Sequence, residues 1–266
     1  MSERLLVTVD DHVAHVRLNR PDKRNGLDLE MFRALVAAGE RLGADPKVRA
    51  IVLSGEGKAF CSGLDWGAFL AMGTDGAAAL LARDPAVSPA NLAQRAAFVW
   101  RESPVPVIAA LHGAVYGGGL QLALAADLRF CTADAQLSAM EVRYGIIPDM
   151  SLTRTLPGLV RPDIARELLF TGRIVFGEEA ARLGLVTRLC EDPLADALAS
   201  AREIASRSPR AVRAAKRLLD EAPGLDVAAG LALETELQLP LLGSPNQLAA
   251  VQAMMTRQPP VFDDVG

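Results

Sequence analysis

The sequence predicts an α/β fold, with a β/α core reaching to about residue 190 and a helical region from 191 to 266, and three patterns predict it. Apolar runs rich in β-branched residues at 48–55 (VRAIVLSG) and 104–113 (PVPVIAALHG) read as buried strands. Each is followed by a glycine-bearing loop and then a helical pattern, the alternation that parallel βα units need. After Asp149 helices dominate: IARELLF, EEAARLGL and ALASAREIA each repeat with a period near 3.6.

Taken in order, residues 5–18 alternate apolar and polar around Asp10-Asp11, the pattern of a hairpin with one buried face, and place His12 and His15 as surface strand residues. After the Arg20-Pro21 break, Asp28 can cap a helix running to Leu42, with Leu29, Phe32, Leu35 and Val36 as its buried stripe and Gly43 at its end. The stretch 73–91, GTDGAAALLARDPAVSPAN, is small and polar and predicts a loop, either mobile over a pocket or a loosely packed surface connection. LRFCTADAQLSA, 128–139, reads as two short strands. Pro209, Pro223-Gly224, Pro240 and the stretch 243–245 punctuate the last third, and no repeat of fixed period stands out.

Composition bounds the function. Half of the 266 residues are apolar and 23% are charged, so the chain can bury a substantial core. A net charge of -4 without a basic run argues against nucleic acid or an anionic membrane as partner and favours a small-molecule substrate. Cys61, Cys131 and Cys190 lack CxxC spacing and are odd in number, which fits reduced thiols and a cytoplasmic location. The charged N-terminus has no secretory apolar run, and no stretch approaches the ~18 apolar residues of a membrane span.

Two strand-to-helix junctions carry the candidate chemistry: GKAFCSGLDW at 57–66 and HGAVYGGGLQ at 112–121. Backbone N–H groups that open a helix have no intrahelical acceptor, so one donor from each loop aimed at one point would make an oxyanion hole. Glycine there permits close approach of a ligand, or equally close helix–strand packing. A dinucleotide fingerprint fails, because G-x-G-x-x-G would need glycine at Phe60 or at Leu122. GxSxG, P-loop and HExxH patterns are absent, no Cys/His pairing suggests a metal, and His112 alone among the histidines lies near a glycine loop.

Carboxylates remain. AMEVRYGIIPDMS, 139–151, sets Glu141 among apolar residues and Asp149 just after Pro148. A buried glutamate has a raised pKa and suits proton exchange with carbon. The alternatives are a salt-bridged surface residue for Glu141 and, for Asp149, an N-cap of the helix beginning near Ser151.

Together AFCSGLD, GAVYGGGLQLALAAD and MEVRYGIIPD resemble the enoyl-CoA hydratase/isomerase (crotonase) superfamily, with support from LNRPDKRNGLD, VRAIVLSGEGKAF and ELLFTGR over nearly the whole chain. The resemblance implies a crotonase-like spiral of ββα units in residues 1–190 carrying the active site. It implies a helical C-terminal region, 191–266, that serves trimerisation and covers that site. Acyl-CoA thioesters would be the substrate, with no separate cofactor and no metal, and the assembly a homotrimer or a dimer of trimers.

By the same resemblance the N–H groups of Leu64 and Gly118 form the oxyanion hole. Arg24, Gly26 and Leu27 lie along the CoA moiety, and Ser62, Gly63, Asp65, Gly117 and Pro148 lie against substrate. Family hydratases carry a second glutamate where this chain has Gln121, and an amide cannot exchange a proton as a carboxylate does. The spacing of Glu141 and Asp149 is similar to that in dienoyl-CoA isomerases, although those carry aspartate at the Gln121 position. The implied activity is therefore a double-bond shift in an enoyl- or dienoyl-CoA, with Glu141 as base, Asp149 tuning or relaying, and Gln121 positioning substrate. Hydration of a 2-enoyl-CoA is the alternative, a different crotonase chemistry a third, and a non-catalytic acyl-CoA-binding pseudoenzyme another.

Overall fold

The computed structural model describes residues 3–83, 86 and 88–265. The chain opens with a hairpin, β1 (Leu5–Asp10) and β2 (Val13–Leu18), whose tight turn is Asp11-His12 rather than Asp10-Asp11. Both turn residues adopt positive φ, 42° and 66°, the twist that a two-residue hairpin loop requires. His12 thus sits in the turn, and His15 bonds Ser54 Oγ at 2.8 Å.

Asp28 caps α1 (Leu29–Ala44) by accepting from the Met31 N–H. The helix continues through Gly43, and its fully buried face is Met31, Phe32, Leu35, Ala38 and Leu42, while Leu29 and Val36 are half-buried at its margin. β3 (Ala50–Gly55) follows, then α2 (Trp66–Leu81) and α3 (Leu92–Arg101). The loop expected over 73–91 is therefore helix as far as Leu81: alanine and leucine spacing outweighs the glycines, and Gly73 (φ 67°) marks a kink. Residues 84, 85 and 87 of that stretch lie outside the described residues.

β4 (Val107–Leu111) is buried along its whole length, as a parallel strand covered on both faces should be. At Gly113 (φ 56°) the chain turns into β5 (Ala114–Tyr116), a short strand that the sequence reading misses, and only then into α4 (Gly118–Leu124). β6 (Leu128–Cys131) and β7 (Gln136–Ser138) are the two expected strands, and they fall in different sheets. α5 (Leu152–Thr155), α6 (Pro162–Thr171), β8 (Val175–Phe176), α7 (Gly177–Leu183) and β9 (Arg188–Leu189) complete the core.

The strands alternate between two sheets, one ordered β1-β2-β3-β4-β6-β9 and the other β5-β7-β8. Only the β1/β2 and β7/β8 pairings are antiparallel. From β4 onward this alternation is the coil of ββα units, while the parallel pairing of β3 with β4 sets their ends side by side.

The C-terminal region starts with α8 (Pro193–Ala205), which lays Ala197, Ala201 and Ala205 on Val13, Val52, Ile108 and Phe130 and so belongs to the packing of the core. α9 (Pro209–Glu221) docks through buried Lys216, whose Nζ reaches Asp127 at 2.7 Å. α10 (Val227–Gln238) and α11 (Pro245–Thr256) follow, and the terminus returns to the core where Asp264 meets Arg49 at 2.8 Å. No helix among the described residues is long and apolar enough to cross a membrane.

Candidate active site

The stretch after β3 runs alongside the one after β4. Cys61 N–H donates to Ala114 O at 3.1 Å, and Tyr116 N–H to Cys61 O at 3.0 Å. This pairing tolerates no side chains at its tightest points. A Cβ on Gly119 would come within 2.3 Å of Cys61 O, and one on Gly63 (φ 85°) within 2.7 Å of Tyr116 O and 3.4 Å of Gly118 N. At Gly118 the space for a Cβ is filled by Met150 Sδ and Leu27 Cδ1, and at Gly117 (φ 52°) a Cβ would face Glu141 Oε1 at 3.4 Å. Packing thus demands Gly118 and Gly119, whereas at Gly117 it is the left-handed backbone that favours glycine.

What the packing leaves over includes an amide on each loop. Ser62 N–H donates to Arg24 O, Asp65 N–H to Leu27 O, and Gly117 N–H to Ser138 O. Leu64 N–H, between bonded neighbours, and Gly118 N–H, at the open end of α4, find no acceptor among the described residues. Gly63 lies between them, and both residues line one cavity of about 890 Å³.

Glu141 opens a short 3-10 turn after β7 and is 7% exposed. Its Oε1 accepts from Gln121 Nε2 at 2.7 Å, while Oε2 is buried with no partner among the described residues. Gln121 Oε1 in turn accepts from the Met150 N–H at 2.7 Å, so both polar ends of that amide reach protein groups. Burial pushes the Glu141 carboxyl above the usual range, the charge of Asp149 adds to the rise, and the Gln121 hydrogen bond opposes it. The walls push the Asp149 carboxyl up as well, although its surface stays open to solvent at the cavity rim. Asp149 does not cap α5: Ser151, at φ 64°, holds the N-cap position, with no side-chain bond.

Ten of the candidate residues line this cavity, namely Arg24, Leu27, Ser62, Gly63, Leu64, Gly117, Gly118, Gln121, Glu141 and Asp149. Gly26, Asp65 and Pro148 do not. Gly26 is packed behind the loop, where a Cβ would lie 3.2 Å from Lys23 O. Asp65 caps α2 and pairs with Arg20 at 2.8 Å, which makes it a brace for the loop. Pro148 is half-buried beside the rim. His112 holds Gly57 O at 3.0 Å and serves the turn. The C-terminal region, expected as cover, contributes no lining residue from its own chain. Among the described residues no group of three or more His, Cys, Asp or Glu could hold a metal ion.

Three features of the site escape a motif search. Asn25, wholly buried at φ 57°, donates to Glu56 O and Ala59 O and accepts from the Arg20 N–H, locking the loop that carries Arg24 and Leu27. Met150 supplies both a wall and the N–H that holds Gln121. Trp66 stacks on Tyr144 with centroids 4.7 Å apart, joining α2 to the Glu141 turn across the cavity. Aromatic scarcity is the signal for the last: of two tryptophans and two tyrosines, Trp66, Tyr116 and Tyr144 all line the site.

Comparison with known proteins places these features in context. The family described as Enoyl-CoA hydratase/isomerase matches residues 8–264. The mitochondrial Delta(3,5)-Delta(2,4)-dienoyl-CoA isomerase of Rattus norvegicus is 33% identical over 267 residues, covering 95% of this chain and 79% of that protein. The (E)-benzylidenesuccinyl-CoA hydratase of Thauera aromatica is 34% identical over 220 residues, 79% of each chain. The crystal structure of enoyl-CoA hydratase from Bacillus anthracis superposes with a TM-score of 0.88 at 30% identity, over 97% of this chain and 98% of that one.

Proposed function

The chain belongs to the enoyl-CoA hydratase/isomerase family, and within it we propose that this protein is an isomerase that shifts a double bond of an enoyl- or dienoyl-CoA. One observation carries the choice: the cavity pairs a buried glutamate with an amide, Gln121, where a second carboxylate would be needed for ordinary two-carboxylate hydration.

The mechanism uses the chain's own groups, with the CoA thioester as substrate and no cofactor. Arg24 and Leu27, with Gly26 behind them, lie along the CoA moiety. The Leu64 and Gly118 N–H groups bond the thioester oxygen, and such preorganised donors can each supply ~3 kcal/mol as negative charge develops there. Glu141 removes a proton from the allylic or α carbon, and the electron pair moves through the conjugated chain onto that oxygen. Collapse of the dienolate takes the proton back from Glu141 at the far carbon, so the double bond has moved and the base is restored. Asp149, whose charge already raises the Glu141 carboxyl, tunes the base or relays a proton.

Hydration is the second reading, and one observation favours it: Asp149 faces the same cavity as Glu141, so two carboxyls could hold a water between them. Incubation of a 3-enoyl-CoA and a 2-enoyl-CoA with the protein in D2O separates the readings. The proposal expects deuterium in substrate carbon and a moved double bond without hydroxyacyl product; a hydroxyacyl-CoA as main product overturns it.

We further propose a cytoplasmic homotrimer or dimer of trimers. Support comes from apolar side chains left exposed on the last helices, Leu231, Leu248, Met254 and Met255 among them, and light scattering of the purified protein tests the mass.

A further inference from the structure

Gln121 has both ends of its amide committed. The Met150 N–H can only donate, so the atom facing it at 2.7 Å must be the Gln121 carbonyl oxygen. That fixes which way the amide points: its NH2 faces Glu141 and donates to Oε1 at 2.7 Å. Both residues are buried, at 1% and 7% exposure, so solvent does not compete for either bond.

The two glutamate oxygens are thereby made unequal. Oε1 already gives one lone pair to an N–H donor, and a proton placed there would weaken that bond. Oε2 is buried without a partner among the described residues, which is costly for an ionised oxygen unless the site uses it.

We propose that Gln121 is a positioning residue for the base: held by the Met150 N–H, its amide grips Glu141 Oε1 and leaves Oε2 as the one oxygen that takes up and returns protons. This inference rests on the reading of Glu141 as the base. It gives Gln121 a task that a second carboxylate could not perform, because two carboxylates at 2.7 Å would share a proton instead of one anion being held ready. The other charged or titratable groups lining the cavity are Asp149 at the rim, Arg143 and Tyr144 on the glutamate's own turn, and Arg24 and Tyr116 on the facing loops. Of these, Asp149 adds to the rise that burial gives the Glu141 carboxyl, and the glutamate's own backbone N–H and then the Gln121 bond work against it.

The test compares Gln121→Met, similar in length and free of hydrogen bonds, with the parent protein. Two readouts are taken: the titration midpoint of the Glu141 carboxyl by NMR of glutamate labelled at its carboxyl carbon, assigned by its loss in Glu141→Gln, and the acid limb of kcat/KM. Loss of one hydrogen bond to an ionised group should raise the midpoint by roughly one to two pH units. The acid limb should move with it while the rate at high pH stays within about tenfold. An unchanged midpoint overturns the role of Gln121, whatever the kinetics. A midpoint that moves while the acid limb stays put overturns Glu141 as the base, and this role with it. Should Gln121→Met fail to fold, Gln121→Glu keeps the shape and the acceptor for Met150. It should make the pair titrate in two steps, and a single step at the parent midpoint overturns the proposal.

Discussion

Gly119 is pressed against Cys61 so closely that a Cβ would lie 2.3 Å from the Cys61 carbonyl oxygen. The same carbonyl accepts from Tyr116, so this contact sets the separation of the two loops that hold Leu64 and Gly118.

Gly119→Ala must therefore move one loop off the other. A loss of roughly 3 kcal/mol in denaturant unfolding is expected, with turnover down at least ~10-fold as the two amides separate. Gly224→Ala is the control: nothing lies within 4 Å of its Cβ position and its φ is negative, so the change should stay within about 0.5 kcal/mol.

If the missing second carboxylate is what limits hydration, Gln121→Glu should confer or raise hydration of a short 2-enoyl-CoA, measured as loss of enoyl absorbance and appearance of the hydroxyacyl product. An unchanged rate would assign the limit to the shape of the pocket instead.

The raised Glu141 carboxyl has two consequences with pH. A base must be ionised, so kcat/KM should fall with decreasing pH at values above the ordinary glutamate range. The fold favours the protonated form, so the stability this group contributes is full below its unfolded value of about 4.3 and is lost as pH rises through the folded value. Glu141→Gln removes that loss. Its melting temperature should exceed the parent's at pH 8, with the difference vanishing near pH 4, and calorimetry across that range measures it.

Lys216 is 8% exposed and its Nζ contacts Asp127 and Val105 O. Lys216→Met removes the nearest cation from Asp127, which keeps the Val107 N–H at 2.7 Å and Arg101 at 3.8 Å, and should cost about 1–3 kcal/mol by denaturant unfolding. Adding Asp127→Asn should recover part of that cost, because the partner charge goes as well.

β1–β4, β6, β7, α1 and the glycine loops were legible in the sequence because each rests on a local pattern: β-branched runs, an Asp cap, glycines where chains touch. β5, β8 and β9 were not, since two or three residues carry no period, and β5 follows from Gly113 turning the chain into a second sheet. α2 hid behind glycines that mark a kink rather than a loop. At the site, Glu141, Gln121, Leu64 and Gly118 were found by motif. Gly26, Asp65 and Pro148 lie off the cavity lining because adjacency in sequence to a lining residue does not give a side chain access to the cavity. The Met150 N–H and the Trp66–Tyr144 stack depend on tertiary approach between distant segments, which no single stretch encodes.

In the proposed reaction the Glu141 carboxylate moves the proton while Leu64 and Gly118 hold the thioester oxygen. The decisive measurement is steady-state turnover of Glu141→Gln on the enoyl-CoA that the parent isomerises, with CoA-ester binding measured alongside. A fall of at least ~100-fold in turnover with binding retained is expected. Turnover near that of the parent would rule out Glu141 as the base.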